Sequence, residues 1–436
     1  MSINSDITST DLAEWVRDAH QRTFDLVSDL TGDELMGPRL DIVNPMLWEI
    51  GHTSWFMEKW ALRHVCGLEP IRDDADAIWD SIAIPHDTRW DLPLPTFEDA
   101  VGYMTQVCDR VLEQLENHPG DDLLYHVRYS VYHDDMHNEA FTYTRQTHGY
   151  PAPKFTEAPP AMPTEGGPLP GDAEIPGGEF HLGATRDAPF VFDNEKWIHP
   201  VELKPFAIAR AAVSQSEFAE FVDDGGYGRD EFWSGEGREW KESENAEHPL
   251  YWKRDSGGGW LRKHFDSWLS LEPHLPVIHV NWFEANAYCR WAARRLPTEA
   301  EWEAAAAAGA NGAALSAKKS SFPWGEEVPD ENRANLDWLG MGCTDVGAFP
   351  ESDCAFGCRQ MMGNVWEWTS TVFRPYPGFE TDPYKEYSEP WFETRKALRG
   401  GCWATRSRMM RNTWRNFYTS DRRDVWAGFR TCAVEA

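Results

Sequence analysis

Between Tyr150 and Gly178 the chain carries eight prolines (Pro151, Pro153, Pro159, Pro160, Pro163, Pro168, Pro170 and Pro176) with several glycines among them. Proline fixes φ and has no backbone N–H, so this stretch is expected to be an extended linker without regular structure. It divides the 436 residues into a part 8–150 and a part 175–436, joined by the linker 151–174. Each part is long enough to bury a core of its own.

The first part reads as helices. Leu12, Trp15, Val16, Ala19, Phe24, Leu26 and Val27 recur at helical spacing over Asp11–Leu30. Met46–Cys66 repeats the pattern through Leu47, Ile50, Trp55, Phe56, Trp60 and Leu62, and Leu123–Thr147 is another such stretch. Thr96–Asn117 opens on Thr96-Phe-Glu-Asp, an N-terminal helix signature. A four-helix bundle follows. After Gly178 the pattern changes to short strands, tight turns and many Trp, Gly and Asn, with helices expected at Ser214–Asp223, Trp282–Arg294 and Thr298–Ala307. The fold class is therefore α + (α+β): a helical bundle joined to an irregular α+β domain, with no internal repeat.

The formal net charge is −31, from 41 basic and 72 acidic residues. Such a surface repels nucleic acid and anionic membranes, so neither is an expected partner. No run of 18 apolar residues exists, and Met1–Asp11 is polar and acidic rather than signal-like. A cytoplasmic protein acting on small molecules is expected. The eight cysteines (66, 108, 289, 343, 354, 358, 402 and 432) are scattered and expected to be reduced thiols. Cys354 and Cys358 stand four apart without a further Cys or His cluster, so no structural zinc site is expected there.

The chemistry concentrates in His133-Asp-Asp-Met-His137-Asn-Glu139. A spacing of four on a helix puts both imidazoles on one face, one turn apart, where they suit a single metal ion. Tyr129, Val131, Tyr132, Phe141 and Tyr143 flank them, so that face is expected to point into the bundle. His52 sits among Trp48, Ile50, Trp55 and Phe56, where an unpartnered imidazole is costly. Three imidazoles from two helices leave coordination positions open, as catalysis requires. By ligand type alone the metal is zinc, copper or iron. Glu139 is a candidate to orient a ligand histidine, whereas Asp134 and Asp135 are expected at the surface.

Further motifs are Ile175-Pro-Gly-Gly178-Glu-Phe, Pro276-Val-Ile-His-Val280, Arg295-Leu-Pro-Thr-Glu299-Ala-Glu-Trp302-Glu, Phe322-Pro-Trp-Gly325, Met362-Gly-Asn-Val-Trp-Glu-Trp368, Leu398-Arg-Gly-Gly401 and Gly428-Phe-Arg430. In this order they resemble the formylglycine-generating-enzyme fold, a C-type-lectin-like domain. Together with Gly51-His52 and His133-x3-His137-x-Glu139 in a DinB-like bundle, the whole chain resembles the ergothioneine-pathway sulfoxide synthases (hercynine oxygenases) and the related selenoneine synthases. Most of the aromatic motifs are scaffold and identify the fold rather than the reaction.

The resemblance implies Fe(II) as cofactor with His52, His133 and His137 as ligands, and hercynine, O2 and a thiol or selenol donor as substrates. It implies Tyr384, just after Pro375-Tyr-Pro-Gly-Phe379, as proton donor, with Tyr387 a nearby competitor. Asn416 and Phe417 align with the segment lining the betaine pocket, where Trp414 and Tyr418 add aromatic faces that suit a trimethylammonium group. His86, Arg89, Met136, Tyr418 and Arg422 fall at the other substrate-facing positions. Three of them depart from the gamma-glutamyl-cysteine-using branch: Met136 stands for a glutamine, His86 for an arginine and Tyr418 for an aspartate. Losing that aspartate and one arginine removes half of a charge-matched amino-acid clamp. The departures favour a selenium sugar as donor over gamma-glutamyl-cysteine or cysteine. Two rival functions remain: a formylglycine-generating oxidase, although Cys402 has no cysteine after it until Cys432, and a non-catalytic metal-containing ligand-binding protein.

Overall fold

A computed structural model describes residues 7–156, 160–307, 314–315 and 318–434. They fall into two compact units, one helical, formed by residues 7–156 with 265–267, and one mixed, formed by the remainder.

In the helical unit α1 spans Ser9–Val27, α2 Gly32–Met36, α3 Met46–Met57, α4 Ala75–Trp79, α5 Phe97–Asn117 and α6 Asp121–His148. Local signals set the ends of the long helices. Thr8 and Asp11 cap α1 reciprocally, and the Thr96 hydroxyl accepts the Asp99 N–H at 3.2 Å to start α5. α6 stops at Gly149, which adopts φ 73°, a left-handed conformation that glycine takes without strain. The core joins Leu12, Val16 and Ala19 of α1 to Val107 and Val111 of α5 and Val127 and Val131 of α6.

Two features were not expected from periodicity. α3 is buried on every side and continues into a π-helical segment, Glu58–Val65. Its first residue, Glu58, is fully buried and accepts hydrogen bonds from the Tyr103 hydroxyl and the Ile71 N–H. The connection between α3 and α5 also folds, into α4 and a 3-10 turn at His86–Asp91, because Trp79 and Ile78 bury themselves against the bundle.

The mixed unit contains β1 Asp172–Ile175, β2 Gly178–Leu182, β3 His199–Leu203, β4 Phe206–Ala209, α7 Gln215–Asp223, α8 Gly235–Ser243, β5 Trp252–Arg254, β6 Trp260–His264, β7 Ser267–Ser270, α9 Trp282–Trp291, β8 Arg294–Arg295, α10 Glu299–Ala307, β9 Trp366–Val372, β10 Lys396–Arg399, β11 Asn416–Tyr418, β12 Ala427–Gly428 and β13 Cys432–Ala433. Its larger sheets run β1-β4-β13-β8 and β11-β10-β9-β12. β1 corrects the expectation of a linker without regular structure over 151–174. Pro170 and Pro176 lie outside the strand, while Ala173 and Ile175 alternate into the core and pair with Ile208 and Phe206. The helix expected over Trp282–Arg294 ends at Trp291, because Arg294 and Arg295 pair with β13 instead. α8 went unforeseen; its nine residues bury only Gly237, so no apolar stripe announces it.

The motifs of this unit meet as buried ion pairs. Arg399 donates to Glu299 at 2.9 Å and Glu303 at 2.5 Å, and Arg415 to Glu299 at 2.7 Å. Arg430 grips Glu367 through two bonds of 2.6 and 2.7 Å, and Trp302 Nε1 donates to the same carboxylate at 2.7 Å. These charges lie in a core of large Trp side chains, where each needs its partner.

Candidate metal centre and substrate-facing residues

α3 and α6 bring His52, His133 and His137 together, with one possible ligand atom from each lying within 4.8 Å of the others. Ring centroids stand 5.1 Å apart for His52 and His133, 5.0 Å for His52 and His137, and 4.5 Å for His133 and His137. The four-residue spacing on α6 supplies two imidazoles on one face, and α3 supplies the third across the helix pair.

Packing sets both tautomer and orientation. His52 Nδ1 lies 2.9 Å from the Trp79 carbonyl and His137 Nδ1 lies 2.5 Å from Glu49 Oε1. Both partners accept, so each Nδ1 carries the proton and each Nε2 keeps its lone pair for a metal. Aromatic faces fix the rings further. Trp48 stacks on His52 at 4.7 Å and 11°, and Phe56 on His133 at 3.8 Å and 8°. Burial, followed by the neighbouring imidazoles, holds His52 and His133 well below the ordinary histidine range. Neutral imidazoles are the form that binds metal, so these residues fit a divalent transition ion.

Glu49 escaped the sequence reading, which pointed to Glu139 as the orienting carboxylate. The signal was present: Glu49 is the one acidic residue in the largely apolar stretch Met46–Met57, every residue of which is buried. Asp134 and Asp135, expected at the surface, are buried. α6 packs against α1, α3 and α5, so residues flanking its histidine face are covered too.

Around the cluster, Arg89 lays its guanidinium 4.0 Å over the Trp48 ring, on the indole that also stacks on His52. It donates to Asn44 Oδ1 at 2.6 Å and to the carbonyls of Ser81 and Ile84 at 3.4 Å. His86 is partly buried with Nε2 2.8 Å from the Val43 carbonyl, and burial lowers its pKa. Met136, between the two α6 histidines, is partly buried.

In the mixed unit Asn416, Phe417 and Tyr418 form β11, whose partners across β10 are Leu398, Ala397 and Lys396. Phe417 stacks on Phe373 at 4.2 Å and meets Tyr387 at 5.6 Å. Asn416 Oδ1 accepts the Phe417 N–H at 2.8 Å. Arg422 lies 5.1 Å over the Tyr418 ring and is gripped by the buried Asp424 at 2.6 and 2.7 Å. Tyr384 is partly buried and starts a 3-10 turn, Lys385–Tyr387, whereas Tyr387 accepts the Trp414 Nε1–H at 3.1 Å. The structure thus gathers β11 with Tyr387, and Arg422 with Tyr418, each into an aromatic setting.

Two family models match the chain. The sulfatase-modifying factor enzyme 1-like domain covers residues 157–435, and the DinB superfamily covers residues 16–148. A hercynine oxygenase of Mycolicibacterium smegmatis is 34% identical over 439 residues, covering 96% of this chain and 97% of that protein. This chain belongs to the hercynine oxygenase family. A second hercynine oxygenase, from Mycobacterium tuberculosis, is 33% identical over 417 residues, covering 94% of this chain and 96% of its own. A formylglycine-generating enzyme of Thermomonospora curvata is 32% identical but covers 61% of this chain and 93% of its own. Membership of the hercynine oxygenase family makes the chain an enzyme, an oxidoreductase of the oxygenase kind, rather than a non-catalytic binding module. Among the described residues no helix is long and apolar enough to cross a membrane.

Proposed function

We propose that this enzyme uses Fe(II) and O2 to join a sulfur or selenium donor to the imidazole C2 of hercynine (Nα-trimethylhistidine), as a step of ergothioneine or selenoneine biosynthesis. One observation carries the reading. Three imidazoles, two of them bonded outward through Nδ1, converge in a chain that matches hercynine oxygenases over nearly its whole length.

His52, His133 and His137 would hold the iron, which supplies the activation of O2. The bond balance is simple: C2–H and Se–H (or S–H) are lost, C–Se (or C–S) forms, and the two electrons and two protons released reduce O2 to hydrogen peroxide or, where one oxygen atom stays on the chalcogen, to one water. Glu49 and the Trp79 carbonyl keep the imidazoles aimed, while burial keeps His52 and His133 neutral. Tyr384 is assigned as proton donor through its phenol, which carries no charge before the transfer. Phe417, backed by Phe373 and Tyr387, offers aromatic faces to the trimethylammonium group, and Asn416 lines the same strand.

Donor recognition is assigned to His86, Arg89 and Met136 of the helical unit and to Tyr418 and Arg422 of the mixed unit, and a selenium sugar is favoured as donor. Two features support a neutral donor over a zwitterion. Arg422 already has its charge matched by a bidentate bond to Asp424, and burial favours neutral His86.

The test is mass spectrometry of products from the iron(II)-loaded enzyme given O2, hercynine and a panel of a 1-seleno sugar, cysteine and gamma-glutamyl-cysteine. A selenium adduct on the imidazole ring is expected, and a sulfur adduct alone would move the donor to a thiol. No adduct from any donor, with iron bound, rejects the proposed reaction.

A further inference from the structure

A second pair of histidines lies outside the three-histidine cluster but between the same two helical stretches. Trp48 precedes His52 by four residues and stacks on it. The same order recurs twelve residues later, where Trp60 precedes His64 by four and their rings meet at 5.4 Å. On α6, His126 lies seven residues before His133, which is two helical turns and therefore the same face. Phe56 covers His133, and Trp60 lies over His126 at 6.3 Å and 19°. The π-helical segment and the first half of α6 thus repeat, in a reduced form, the arrangement that α3 and the middle of α6 make around the cluster.

The rings of His64 and His126 are 5.4 Å apart, centroid to centroid, at an angle of 56°. Two imidazoles sharing one tetrahedral ion, at ligand bonds of about 2.0–2.1 Å, place their centroids about 5 Å apart. The hydrogen bonding of His126 leaves one of its nitrogens available to an ion. His126 Nδ1 lies 2.8 Å from the Asp122 carbonyl, a bond that requires the proton on Nδ1. Nε2 is therefore the lone-pair nitrogen, and it is shielded from solvent without a hydrogen-bond donor. A shielded acceptor with nothing to accept from is unfavourable, and a cation removes that cost. His64 is exposed, so an ion reaches the pair from solvent.

We propose that His64 and His126 bind a zinc-class divalent ion, with water completing its coordination. Two neutral imidazoles suit Zn2+, Ni2+ or Cu2+ and are poor ligands for Mg2+ or Ca2+. The ion staples the π-helical segment, which continues the helix of His52, to the helix of His133 and His137. The site stands whatever reaction the three-histidine cluster performs.

The experiment strips the full-length protein of metal, dialyses it against zinc chloride and counts bound zinc per chain by elemental analysis. Wild type is compared with His64→Ala, His126→Gln and His52→Ala, each checked for native helix content by circular dichroism. His64→Ala and His126→Gln are each expected to lose one zinc equivalent while retaining the equivalent that His52→Ala loses. Because His64 is exposed, its variant keeps the fold even where His126→Gln does not. Zinc-edge anomalous diffraction is expected to show a peak between the two rings. Equal zinc in wild type and His64→Ala, or an anomalous peak confined to the three-histidine cluster, overturns the proposal and leaves the pair a solvated surface feature.

Discussion

The imidazole of His137 on α6 bonds through Nδ1 to the carboxylate of Glu49 on α3, 2.5 Å away and 88 residues earlier in the chain. Glu49 is fully buried, whereas His137 keeps 20% of its side-chain surface exposed. The carboxylate therefore holds the most accessible of the three imidazoles at a set angle. Glu49→Gln still accepts a hydrogen bond but loses the charge, and Glu49→Ala loses both. Iron(II) affinity is expected to fall by about 10–100-fold, more for Ala than for Gln, by competition with a chelator of known strength. Equal affinities across the three proteins would show that Glu49 does not position the ligand.

Gly51 permits the packing that orients His52. A Cβ at this position would overlap the indole of Trp79, whose carbonyl accepts from His52 Nδ1 and whose ring stacks on Tyr103 at 4.7 Å. Helix propensity alone predicts that Gly51→Ala stabilises α3 by about 1 kcal/mol. Overpacking is expected to win, with a net loss of about 1–3 kcal/mol in urea unfolding of the apo-protein. A gain in stability would mean that Trp79 moves freely.

Substitution distinguishes Tyr384 from Tyr387. Tyr384→Phe is expected to divert turnover from coupling towards oxidation of the thiol or selenol, read as a changed product ratio by mass spectrometry. Tyr387→Phe removes the acceptor of the buried Trp414 N–H, which costs about 1–3 kcal/mol of stability. Product ratios unchanged in Tyr384→Phe but altered in Tyr387→Phe would transfer the proton-donor role to Tyr387.

Burial pushes the Glu284 carboxyl up to about 7 from its ordinary 4.5, although Tyr227 donates to it at 2.5 Å and the Asn281 N–H at 2.8 Å. The folded protein thus keeps this proton to a higher pH than the unfolded chain does. Its contribution to stability is full below pH 4.5 and is lost as pH rises through about 7. Glu284→Gln, which cannot ionise, is expected to flatten the decline of Tm between those limits. A decline of equal slope in both proteins would assign the pH dependence elsewhere.

Some features were legible because they are local. The spacing of His133 and His137 puts two imidazoles on one helix face, and Thr96 marks a helix start through its own hydroxyl. The arginine and glutamate motifs were visible as strings, but their pairing was not. Arg415 and Glu299 lie 116 residues apart in sequence and meet only across a folded core. β1 is hidden in the sequence because prolines dominate the composition around it, whereas the strand itself falls between two of them.

By itself the sequence determined the two-part α + (α+β) architecture, the helix carrying two of the three imidazoles and, through its similarity over the whole chain, the family. Periodicity, caps and motif order act over a few residues, so they survive without knowledge of packing. The tertiary structure alone decided that Glu49 bonds His137, that the Trp79 carbonyl sets the tautomer of His52, that Asp134 and Asp135 are buried, and that the helix after Met57 widens into a π-helix. Each depends on which side chains converge from distant segments, where a buried polar atom must find a partner, and no local pattern names that partner.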